Sequence, residues 1–99
     1  MAQLFVHHKV ADYAKWRQVF DEMDGLRRSF GMTGSRVFHT EANPNEIAVI
    51  TDWPTAEQAR AYAQSPELRQ GMQNAGVISQ PDVLILEDVT EPATTQRGK

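Results

Sequence analysis

Three histidines, two tryptophans and two tyrosines carry most of the side chains in this chain that could take part in chemistry near neutral pH. The stretch F-V-H-H-K-V-A-D-Y-A-K-W, residues 5–16, sets His7 beside His8 and follows them with Asp12, Tyr13 and Trp16. Imidazole titrates near neutrality, which suits it to general-base or metal-ligand work. In a strand, however, adjacent side chains point to opposite faces, so His7 and His8 cannot both line one pocket. His8 is in phase with Leu4 and Val6, His7 with Phe5. The structural alternative for either is an interior or interface histidine satisfied by its neighbours.

His39 falls on a different predicted strand, about 9.5 Å from the first in the plane of the sheet if one strand lies between them. That separation defeats an easy shared metal, though one organic substrate could touch both. No E-x-x-H or H-x-x-x-H spacing occurs and there is no cysteine, so no metal site, disulfide or thiol nucleophile is expected. Trp53 and Trp16 could supply aromatic walls for a flat ligand and Tyr62 a hydrogen bond to its carbonyl or phenolate; the alternative is that they are core, which is the better reading for Trp16 on its apolar stripe. Gly31-Met32-Thr33-Gly34 follows a helix without basic flanks and reads as a turn. No serine triad, P-loop or dinucleotide fingerprint is present.

The elements that must position these residues follow from periodicity. Residues 3–9 read as a first strand. Asp12 stands as N-cap of a helix whose apolar arc is Trp16, Val19, Phe20, Met23, Leu26 and Phe30, with Gly31 as its C′ residue. Arg17, Asp21, Asp24 and Arg28 take the outer side. Residues 35–40 and 47–53 read as strands joined by turn chemistry at 41–46. Thr55 and Gln58 form a capping-box pattern that opens a second helix, and Ser65-Pro66 restarts the chain as a third. Residues 82–89 complete the set as a last strand. The order β-α-β-β-α-α-β predicts an α+β, ferredoxin-like antiparallel sheet with helices on one face, in a single domain over 1–90. Residues 91–99 are expected to form a disordered tail.

Strands I-A-V-I and V-L-I-L place apolar residues on both faces, yet helices cover only one. An antiparallel sheet facing water should alternate, so the helix-free face is expected to bury itself in a homodimer. A net charge of −3 offers no field for nucleic acid or an anionic membrane. Neither a signal peptide nor a membrane span is read, and a cytoplasmic location is expected.

"HHKVADYAKWRQVFDEM", "TDWPTAEQARAYAQSPEL" and "MQNAGVISQPDVLILEDV" together resemble the dimeric α+β barrel superfamily, and within it the small antibiotic biosynthesis monooxygenase-like proteins labelled "cyclase". The matching positions are Asp12, Tyr13, Trp16, Trp53, Ser65-Pro66 and Gly76-Val77. The resemblance implies cofactor-independent oxygenation or enolisation of a small aromatic or quinone-like compound. The alternative is a non-catalytic dimeric module that binds a small hydrophobic metabolite. Since the matching motif in similar proteins reads H-x-V-x-D-Y, His8 is assigned to the cavity as base, with His39, Trp53 and Tyr62 as substrate contacts and no cofactor. The superfamily's haem degraders use a histidine near the second helical region; residues 55–80 contain none, which argues against that activity.

Overall fold

The computed structural model describes residues 1–89. Chain order is β1 (Ala2–Lys9), α1 (Tyr13–Glu22), α2 (Asp24–Ser29), β2 (Gly34–His39), β3 (Glu46–Trp53), α3 (Ala56–Ala63), α4 (Pro66–Asn74) and β4 (Asp82–Glu87). The four strands form one antiparallel sheet in the order β2-β3-β1-β4, with the helices against one face. The expected α+β, ferredoxin-like plan is therefore present. The expected tail at 91–99 lies outside the described residues.

Capping chemistry starts three of the helices where the chain predicts. The side chains of Asp12, Thr55 and Ser65 accept hydrogen bonds from the backbone N–H groups of Lys15, Gln58 and Leu68. Gly31 and Gly76, after α2 and α4, adopt φ of +113° and +80°, a region open to glycine at little cost. One expectation fails. The first helix is two helices, broken at Met23 (φ −87°, ψ 1°), whose N–H divides between the carbonyls of Val19 and Phe20. No proline or φ-positive residue marks that break; Met23 lies on the apolar arc like its neighbours.

Strand register sorts the side chains. Ala2, Leu4, Val6 and His8 of β1, with Ile47, Val49, Thr51 and Trp53 of β3, are buried under the helices. Two clusters fill that side: Leu4, Val6, Met32, Trp53, Ala59 and Tyr62 form one, and Val10, Trp16, Ile47, Val49 and Ala75 the other. The opposite face carries Phe5, Ala48 and Ile50, with Phe38, Leu84 and Leu86 exposed.

Trp53 is completely buried, and its indole N–H donates to the Thr51 hydroxyl at 2.8 Å. A buried donor left without a partner costs about 1–3 kcal/mol. Thr51→Val should therefore lower stability by about that amount in urea unfolding, and Thr51→Ser, which keeps the acceptor, by clearly less.

Candidate functional site at the seam between the two core clusters

The two clusters do not close completely on each other. Between them lies a cavity of about 60 Å³, floored by Leu4, Val6, His8, Val49 and Thr51 from the sheet. Its remaining lining comes from α1, α2, α3 and α4, chiefly Trp16, Phe20, Met23, Arg27, Tyr62 and Met72. Gly71 of α4 sits where a Cβ would run into the Met23 thioether, so α4 approaches α1 closely only because no side chain intervenes.

His8 is the cavity's imidazole. It is 4% exposed, its ring meets Trp16 edge-on with centroids 6.0 Å apart, and neither Nδ1 nor Nε2 has a hydrogen-bond partner among the described residues. Burial, with a smaller contribution from the neighbouring His7 charge, lowers its pKa from 6.5 to about 4. At neutral pH the ring is uncharged and one nitrogen is free to accept a proton.

His7 occupies the helix-free face and lives in the opposite environment. Its Nδ1 lies 3.0 Å from Asp82 and its Nε2 2.8 Å from Glu46. Hydrogen bonds to Asp82 and then Glu46 raise its pKa, which favours an imidazolium donating from both nitrogens. The carboxylates lie on opposite edges of the ring, a geometry for an ion-paired histidine. Among the described residues no group of three or more His, Cys, Asp or Glu side chains could hold a metal.

The four residues singled out from sequence separate. His8 and Tyr62 line the same cavity. Trp53 does not: it stacks on Tyr62 at 5.4 Å between ring centroids and bonds to Thr51, within the core. His39 pairs with Ile47 in the row that holds His8, but it is exposed, edge-on to Tyr13 at 6.5 Å, with Nδ1 on the Thr40 carbonyl. It is outside the cavity lining. Burial raises the Tyr62 pKa, with Arg27 beside it pulling the other way, so the phenol keeps its proton.

Arg27 went unremarked in the sequence, and Trp16, read there as core, belongs to the lining as well as to the second cluster. Positions 16, 20, 23, 27 and 30 are spaced by four and three, so Arg27 falls within the apolar arc, between Trp16 and Phe20 in phase. An arginine there was the available signal. The guanidinium is 3% exposed and lies 3.8 Å over the Phe20 ring; Nη2 donates to the Phe20 carbonyl at 2.7 Å and Nε has no partner among the described residues.

No family model matches the chain, and no curated protein matches it in sequence. Solved structures do match in fold. A Bordetella bronchiseptica protein described as an antibiotic biosynthesis monooxygenase superposes with a TM-score of 0.75 at 16% identity, covering 90% of this chain and 97% of that one. SnoaB, a cofactor-independent oxygenase from Streptomyces nogalater, gives 0.69 at 12% identity over 95% and 97%. A Deinococcus radiodurans protein also described as an antibiotic biosynthesis monooxygenase gives 0.69 at 14% identity over 99% and 100%. At these identities the likeness is one of architecture: the chain shares the fold of these structures, an antiparallel sheet with helices on one face, which is the fold that the resemblance of the sequence segments implies.

Proposed function

We propose that the protein catalyses cofactor-independent oxygenation, or a related enolisation, of a small aromatic or quinone-like compound, with His8 as general base. The observation that carries this reading is the His8 ring: buried, neutral, unpartnered at both nitrogens among the described residues, and facing an apolar cavity. Buried polar groups are normally satisfied, and an exception calls for a role. In the proposed reaction His8 accepts a proton from an acidic C–H beside a carbonyl, leaving an enolate. The enolate gives one electron to dioxygen, the radical pair combines to a peroxide, and its collapse turns CH₂ plus O₂ into C=O plus water. The apolar lining keeps bulk water from the anion and the peroxide. Tyr62, holding its proton, is assigned to the substrate oxygen, while Trp53 supports Tyr62 from behind and His39 is too exposed to join the same ligand.

The volume favours a second reading. A cavity of about 150 Å³ takes benzene and sites for larger ligands run to about 300 Å³ or more, so 60 Å³ must expand to admit a ring. A non-catalytic dimeric module fits that tighter interior because it needs no reacting group there, and a small hydrophobic metabolite would enter it only through the same expansion. Oxygen uptake with anthrones and hydroquinones separates the two. Under the first reading His8→Ala lowers turnover by about 100-fold or more while substrate still binds. Its kcat/KM should rise with pH through about 4 and stay flat across neutrality, because the base is already deprotonated there. An inflection near 6.5 would point to a solvated histidine instead.

Folding stability should carry the same signature. The His8 pKa is lower in the folded than in the unfolded chain, so between about 4 and 6.5 the unfolded state binds the extra proton. Stability is therefore lost as pH falls from 6.5 to about 4, by on the order of 3 kcal/mol, and no further from this group below that. Urea unfolding should show His8→Leu losing much of this acid dependence.

The assembly belongs to the same proposal. Phe5, Phe38, Ile50, Leu84 and Leu86 form an apolar helix-free face that a second copy would cover. Light scattering should give about twice the 11.2 kDa chain mass. Leu84→Glu, which sets a charge in that face, should shift the protein toward monomer.

A further inference from the structure

Among the described residues, Arg27 is the one permanently charged side chain in the cavity lining. Its charge is only partly answered. The nearest carboxylate, Asp24, stands 3.9 Å away, is 43% exposed and is held at 2.9 Å by Arg28. The Phe20 carbonyl and ring supply a dipole and a π face, the Tyr62 phenol oxygen faces the guanidinium as a further neutral acceptor, and among the described residues Nε is left buried without a partner. A guanidinium cannot shed its proton to relieve the cost of burial, so the deficit stands until an anion arrives. Within a site poor in water, that attraction is far stronger than at the surface.

The other groups around the cavity agree in sign. Tyr62, from α3, presents a phenol O–H beside Arg27, His8, from β1, is neutral, and among the described residues no acidic side chain lines the space. Two donors and no competing carboxylate select an oxygen bearing negative charge. We infer that Arg27 determines the cavity's specificity: it selects aromatic ligands whose oxygen is ionised when bound, a phenolate or enolate received by the guanidinium with the Tyr62 hydroxyl beside it. The inference rests on the cavity being the ligand site proposed above. It also completes the proton transfer, since the imidazolium formed on His8 would otherwise stand near a second uncompensated cation.

The probe is para-nitrophenol, whose phenolate is yellow and whose neutral form is not. Binding is followed spectroscopically on the full chain and on Met23→Ala, which enlarges the cavity for compounds the resting volume excludes. Bound probe should be ionised at a pH where the free compound is mainly neutral, with the phenolate bound at least about tenfold more tightly than the phenol, a shift of about one pKa unit. Arg27→Lys should retain part of that preference and Arg27→Met should lose it. Replacing a buried charge by an apolar chain of similar size is commonly tolerated, and the bound-state spectrum of Met23→Ala, which keeps Arg27, tests the point without any change at position 27. Probe bound in its neutral form, equal preference in Arg27→Met, or no binding to either protein would overturn the inference. Oxygen uptake with anthrones and hydroquinones reports separately: ionised probe bound, with no uptake from those compounds, leaves the selection standing and removes the oxygenase reading, and uptake with neutral-form binding of the probe does the reverse.

Discussion

The rest of the molecule depends on the register of β1. It is paired on one side with β3 and on the other with β4, so its alternation is enforced by two ladders at once. Leu4, Val6 and His8 are thereby committed to the helix side, and Phe5 and His7 to the bare face. A slip of one residue would exchange them, moving an ion-paired imidazole into an apolar core and an unpartnered one out to the surface. The hydrophobic pattern resists that slip because Leu4 and Val6 would have to leave the same core cluster together.

Two adjacent histidines consequently behave as different chemical groups. His7 is stabilised as a cation by Asp82 and Glu46, and His8 is held neutral by burial, with the His7 charge reinforcing the effect. Their pH dependences oppose each other. The His7 contribution is present below its ordinary pKa and is lost as pH rises through the elevated one; the His8 contribution is present above its ordinary pKa and is lost on acidification. The strand between them acts as the partition between a charged face and a neutral one.

Much of this was legible in the chain. Asp12, Thr55 and Ser65 announce helix starts because each side-chain oxygen satisfies a backbone donor at a fixed offset. The apolar runs in β3 and β4 announced a second buried-type face, and the structure sets Ile50, Leu84 and Leu86 there. Period two separated His7 from His8 but left open which of them met the helices; only the pairing decides. Other features were not legible. The break at Met23 is made by a shared hydrogen bond rather than by a residue type, and the cavity is a volume left over between two packed clusters. His39 shows a further limit: it occupies the right face and row, but β2 is an edge strand where the helical layer has run out. Arg27 was readable from its phase, and its charge disguised it as surface.

The close approach of α4 to α1 at Gly71 has a consequence for how such a chain could change over time. Met23 touches both the missing side chain's place and the cavity, so added bulk at position 71 would push the thioether into the empty seam. One methyl group there would also favour the α4 helix by about 1 kcal/mol relative to glycine. That gain is opposed by the overpacking against Met23, and it would come at the expense of the seam, so a single hydrogen at position 71 keeps the space between the two clusters open.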